Sequence, residues 1–186
     1  MREKMLIMNI ILLKHGNKYS ADDVNRQAQS IKKFTNYNIF CFTEDPKDVM
    51  INCIPIPKTP RLMRWWNKMN LFRDDFALSG KCVLFDLDIK IKKNPFPYIE
   101  DIDWNTPTFL RDFWKKDLYY TPHSYETELN SSVLAWTTGE NKNVWKLFSS
   151  NIDYYTRKYM GVDRFFWNEN IEWNTFDNRI NTTITL

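Results

Sequence analysis

Lys81-Cys82-Val83-Leu84-Phe85-Asp86-Leu87-Asp88-Ile89-Lys90-Ile91 decides the fold. Cys82 to Phe85 is an unbroken apolar run. A strand wet on one side would alternate apolar with polar, so this one is expected to be buried on both faces. It delivers two carboxylates. In an extended chain Asp86 and Asp88 project to one side while Leu87 turns back into the core. Acids at the carboxyl end of a buried strand sit where open α/β sheets bind ligands. Carboxylate oxygens suit a hard divalent ion such as Mg²⁺ or Mn²⁺, which keeps water and substrate phosphate as its other ligands. The natural partner is a diphosphate.

The flanking segments supply the rest of such a sheet. Met5 to Leu13 reads as a buried first strand near its middle, with Lys14-His15-Gly16-Asn17-Lys18-Tyr19-Ser20 as the loop at its carboxyl end. Ser20 caps a helix that opens with Asp22 and Asp23 and runs to about Phe34, turning Val24, Ala28 and Ile31 inward. Ile39-Phe40-Cys41-Phe42 is the next strand, and strand, helix, strand implies a βαβ unit with a parallel pair. Pro55 and Pro57 confine Ile51 to Pro57 to a sheet edge. Trp65 to Phe76 is expected to form a helix with Trp65, Met69, Phe72 and Phe76 on one face. Ile89 to Lys93 alternates, an extended segment with a wet lysine face, and Asn94 to Pro97 turns the chain. Thr108 to Trp114 reads as a strand leading into a polar loop, Lys115 to Glu128, that holds His123. In Leu129 to Trp136 an asparagine and two small residues lead into an apolar strand, and Glu140 to Asn151 is a helix carrying Val144, Trp145, Leu147 and Phe148.

At 186 residues the chain is expected to be one domain with a sizeable core. Its 26 basic and 23 acidic residues are interspersed, which argues against a nucleic-acid partner. Aromatics reach 16%, enough to suggest sugar-stacking surfaces, although core packing is the first use of most of them. Cys41, Cys53 and Cys82 are odd in number and lack a Cys-x-x-Cys spacing, as reduced thiols of a cytoplasmic protein would be. The apolar run near the amino terminus lacks a small-residue cleavage site and reads as a strand rather than a signal peptide. No stretch approaches the ~20 apolar residues that span a bilayer.

The run Trp65-Trp66-Asn67-Lys68-Met69-Asn70-Leu71-Phe72, then Gly80, then Val83-Leu84-Phe85-Asp86-Leu87-Asp88, resembles a bacterial and viral family of small glycosyltransferases with the GT-A fold and an Asp-x-Asp motif. Lys14 to Tyr19, Val24-Asn25-Arg26 and Cys41 to Asp45 fit the same pattern. The resemblance implies a single α/β domain over 1–186 with a Rossmann-like, mixed, mostly parallel sheet flanked by helices. Its nucleotide-sugar donor half would span about 1–100 and its acceptor half about 101–186. It implies Mn²⁺ or Mg²⁺ on Asp86 and Asp88, and a UDP- or GDP-sugar donor contacted by Lys14, Lys18, Tyr19, Lys68, Asp86 and Asn130. Tyr19 would meet the base, Lys68 would balance the carboxylates or phosphates, and Asn130, followed by small Ser131 and Ser132, would leave room for a sugar ring. Asp163, ahead of an aromatic helix, would be the catalytic acid–base group or would orient the donor sugar. The acceptor is a hydroxyl on a glycan, lipid or protein, and the setting a bacterial or virus-infected cytoplasm. Oligomeric state, donor identity and stereochemistry stay open.

Two features depart from the family. Val162 and Arg164 stand where many relatives carry a glutamine or second acid, and no histidine follows His123 to serve as a third metal ligand. His15 has no partner at ligand spacing and reads as structural. Two other functions compete: a haloacid dehalogenase-type phosphatase using Asp86 and Asp88, although Lys90 replaces its usual threonine, and a carbohydrate-binding module that uses the tryptophans as platforms.

Overall fold

A computed structural model describes residues 8–58, 60–111 and 127–185. Met5 to Ile7 of the expected first strand, Asp112 to Trp114 of a later one, and His123 lie outside them. The sheet is built from β1 (Asn9–Lys14), β2 (Asn38–Thr43), β3 (Asn52–Pro55), β4 (Lys81–Phe85), β6 (Thr108–Arg111), β7 (Leu129–Thr137) and β8 (Asn174–Thr175). Their order is β3-β2-β1-β4-β7-β6-β8. All neighbours run parallel except where β7 lies antiparallel between β4 and β6. A separate antiparallel pair joins β5 (Lys90–Ile91) to β9 (Ile184–Thr185).

Two strands at the centre carry the core. Every residue of β1 is buried, as are Cys82 to Phe85 of β4. Alternation along β1 sends Ile11 and Leu13 to one face and Ile10 and Leu12 to the other. Ile10 and Leu12 pack with Val24, Ala28 and Ile31 of α1 (Ala21–Lys32), the stripe read from the sequence. The opposite face is aromatic. Trp66 stacks on Phe148 of α3 (Lys142–Ser150) with ring centroids 5.3 Å apart, and Phe165 of α5 (Val162–Asn168) meets Phe148 edge-on at 5.5 Å. Most of the aromatic surplus is therefore spent on packing, each buried ring contributing about 1.5–3 kcal/mol of apolar transfer. Short helices α2 (Phe96–Glu100) and α4 (Ile152–Lys158) complete the cover.

The helix expected over Trp65 to Phe76 is instead a 3-10 helix, Arg64–Phe72. Every residue from Trp66 to Phe72 is buried, whereas Trp65, in the first turn, is left 40% exposed. The three cysteines are free thiols, and burial pushes Cys41 and Cys82 up to about 12. Among the described residues no helix is long and apolar enough to cross a membrane.

Candidate active site

The chain leaves β1 through α1 toward β2 on one side, whereas β4 has β7 on the other. Strands β1 and β4 therefore form the point at which strand order reverses, and the crevice beyond their carboxyl ends is where such sheets hold ligands. The loop after β1 supplies His15, Lys18 and Tyr19 there, and the segment after β4 supplies Asp86 and Asp88.

The two acids come together by a turn and not by the pleat of an extended strand. Strand β4 stops at Phe85, and the Ile89 N–H donates to the Asp86 carbonyl at 3.3 Å, closing a tight turn. Leu87 is half-buried within it. Asp86 lies deeper, its side chain 24% exposed, and takes a 2.8 Å bond on Oδ2 from the Lys68 ammonium, which is only 6% exposed. Lys68 also donates to the Ser131 carbonyl at 3.0 Å and to Ser131 Oγ at 3.1 Å. Asp88 is outermost. Its Oδ2 accepts from the Tyr19 hydroxyl at 2.7 Å and lies 3.4 Å from Lys18 Nζ. A capping box fixes Tyr19 from the following residue: Ser20 Oγ accepts from the Asp23 N–H, and Asp23 accepts from the Ser20 N–H.

Ser131 owes its position to an irregularity in β7. Phe109 faces Leu134 and Leu110 faces Asn130, so Ser131, Ser132 and Val133 have no counterpart on β6 and the strand bulges toward the end of β4. There the Ser132 carbonyl accepts from the Asp86 N–H at 2.8 Å, and the Ser131 N–H donates to Asp163 Oδ1 at 3.0 Å. Asp163, in the first turn of α5, thus joins Asp86 through Ser131 and Lys68.

Electrostatically the carboxylates differ. Burial pushes Asp86 up, Lys68 pulls it down and the charge of Asp88 pushes it up again, leaving it above the usual carboxylate range. Burial also works to raise Asp88, but the Tyr19 hydroxyl and Lys18 outweigh it and hold that carboxyl below its usual range. His15 is half-buried beside them. Burial lowers its pKa, Glu44 and Asp86 raise it, and Lys68 and Lys18 lower it, the net direction being down. Any stability that it contributes is therefore present above its unfolded pKa and lost as pH falls through the folded one.

His15 and His123 are the only histidines, so NMR can follow the His15 ring directly. Its midpoint is expected to fall further in Asp86→Asn and to rise in Lys68→Met. A midpoint unmoved by either change would separate His15 from the carboxylate site.

The structure thus gathers Lys18, Tyr19, Lys68, Asp86, Asp88 and Asp163. Two expected donor contacts have protein partners. Lys14 is buried against the loop after β2, with Nζ 3.3 Å from the Asp45 carbonyl and 3.6 Å from its carboxylate. Asn130 Oδ1 accepts from the Ser132 N–H at 2.8 Å, so it shapes the bulge. His15 and Ser131 carry more of the site than their sequence context indicates. The available signals were the place of His15 directly after the central strand and the small residues after Asn130.

No protein-family model matches the sequence, and no curated protein matches it. Solved structures do resemble it. The galactosyltransferase LgtC, in complex with donor and acceptor sugar analogues, superposes with a TM-score of 0.61 at 14% identity over 90% of this chain and 73% of LgtC. The glycosyltransferase GlyE of Streptococcus pneumoniae TIGR4 gives a TM-score of 0.64 at 12% identity, over 94% of this chain and 46% of GlyE. The fold is the GT-A fold of these glycosyltransferases. The chain spans about half the length of GlyE and nearly three quarters of LgtC, and at these identities the likeness is one of fold.

Proposed function

We propose that this GT-A chain transfers a sugar from a nucleoside diphosphate donor to a hydroxyl acceptor, with a divalent cation at Asp86 and Asp88. The observation that carries this is the placement of both acids at the switch point of the sheet, each fixed by a separate protein partner. A hard divalent ion suits the donor set. Two carboxylates leave most of its shell to water and diphosphate oxygens, and among the described residues no group of three or more His, Cys, Asp or Glu gathers around a possible ion.

Bound there, the ion would supply charge neutralisation to the departing diphosphate. The protein's own groups do the positioning. Lys68 holds Asp86 from behind, and Tyr19 and Lys18 orient Asp88 and close the donor side. Asp163, anchored on the Ser131 N–H, faces the acceptor side. It would take the proton of the attacking hydroxyl if the anomeric centre inverts, or steady the donor sugar if it does not. The phosphatase reading of the same two acids gains nothing from a GT-A sheet.

The test is release of nucleoside diphosphate from a set of UDP- and GDP-sugars with Mn²⁺ and with EDTA. One donor is expected to be turned over only with the ion. Release of inorganic phosphate from a phosphomonoester, with no donor consumed, would overturn the proposal.

A further inference from the structure

Trp65 is a large aromatic left outside the core, and its position is defined by the two segments that build the active site. It precedes Lys68 by three residues on the 3-10 helix, where residues at that spacing eclipse one another, one turn or roughly 6 Å apart along the axis. Lys68 sits on Asp86, so Trp65 lies one turn further out on the same face. Across from it runs the start of α5. A Cβ added at Gly161 would stand 3.4 Å from both Cδ1 and Nε1 of Trp65, so the indole lies against the Gly161 backbone. Gly161 precedes Asp163 by two residues, and Asp163 and Lys68 both bind Ser131. The two segments therefore run side by side from an outer contact, Trp65 with Gly161, to an inner one, Lys68 and Asp163 on Ser131.

From this geometry we infer that Trp65 is the stacking platform for the acceptor, and that the acceptor ends in a sugar ring. The inference rests on the transferase reading above and narrows its acceptor class to saccharide-terminated molecules. The chemistry of the spot matches a pyranose. An indole offers a flat apolar surface for the C–H face of a sugar, and the polar groups around it serve the hydroxyl rim. Arg64 is exposed, with its guanidinium carbon 5.6 Å from the ring centroid, and a sugar seated on the indole would take hydroxyl hydrogen bonds from it in place of that contact. Arg64 also has a φ of +52°, in the left-handed region that few non-glycine residues occupy, and this turns the chain immediately before Trp65. Tyr19, Lys18 and Asp88 close the opposite, donor side. A ring resting on Trp65 would thus point its far hydroxyl inward between Asp163 and the carboxylate turn. The neighbouring Trp66, stacked on Phe148 in the core, has no such access.

The test uses the full chain labelled with 5-fluorotryptophan. Fluorine NMR reports each of its eight tryptophans, and Trp65→Phe identifies the Trp65 signal. Lactose, cellobiose, maltose and methyl α-mannopyranoside serve as soluble probes. At least one is expected to shift the Trp65 signal while leaving those of Trp66 and Trp136 in place. Its dissociation constant is expected to rise about tenfold in Trp65→Ala and to be largely kept in Trp65→Phe. No response at Trp65 to any probe, or binding unchanged in Trp65→Ala, would overturn the inference. Donor turnover by the unlabelled wild type is measured in parallel. Turnover without a Trp65 response removes the platform and keeps the transferase reading; a Trp65 response without turnover leaves a saccharide site at Trp65 but overturns its acceptor role together with the transferase reading.

Discussion

Lys68→Met is expected to destabilise the fold by about 3–5 kcal/mol, the cost of leaving a buried charge without its partner. Lys68 Nζ makes three short contacts, to Asp86 Oδ2, the Ser131 carbonyl and Ser131 Oγ, in a site where the ammonium is nearly inaccessible. Methionine fills much of the same volume but supplies no donor. The Asp86 carboxylate, already raised by burial, then keeps the Ser132 hydrogen bond but faces the charge of Asp88 with no cation beside it, and the Ser131 carbonyl loses its bond. Urea unfolding gives the magnitude. Asp86→Asn in the same chain should recover most of the loss, because a neutral side chain does not need a cation. Mn²⁺ should recover part of it, because the ion can take over Asp86. A loss under about 1 kcal/mol, typical of an exposed pair, would mean that Lys68 does not hold the carboxylate.

Asp88→Ala is expected to do the opposite: little to stability and much to turnover. Asp88 is half-exposed, Lys18 is exposed and Tyr19 is partly buried, so unfolding should change by no more than about 1 kcal/mol. Turnover of the donor is expected to fall by about 10²–10³, the scale seen when one charge-stabilising group is removed from a preorganised site. Steady-state kinetics with and without Mn²⁺ separate the two effects. An Asp88→Ala protein that keeps its metal-dependent rate would place the cation elsewhere.

How legible the protein was depended on how far each feature follows from a run of side chains. The central strands could be read because burial on both faces leaves no alternation to confuse, and Asn9–Lys14 and Lys81–Phe85 are buried throughout or nearly so. Ser20 announced α1 by its cap chemistry. The prolines placed Asn52–Pro55 at the sheet edge. The segment after Met63 is harder to read because 3.0- and 3.6-residue periods differ little over two turns, and because burial runs unbroken from Trp66 to Phe72, so only Trp65 in the first turn stays exposed. The alternation of Ile89 to Lys93 marks β5 as extended, but its two-residue partner Ile184–Thr185 is too short to carry a period.

Within the site, the acids and their cationic partner were visible because each belongs to a recognisable motif. The geometry that joins them was not. A turn rather than a pleat brings Asp86 to Asp88, and a bulge in β7, which no local propensity marks, brings Ser131 to Lys68 and Asp163. The resemblance implies a donor contact for Lys14, and in the fold its ammonium rests on the Asp45 carbonyl and carboxylate of the loop after β2, a contact that the sequence does not mark.

The central claim is a divalent cation shared by Asp86 and Asp88 beneath a nucleoside diphosphate. The most direct measurement is an anomalous-difference map from crystals grown with MnCl₂ and UDP or GDP. The account expects one strong peak bonded to carboxylate oxygens of both Asp86 and Asp88 and to the diphosphate. A bound diphosphate with no peak at these residues, or a manganese peak away from both, would contradict it.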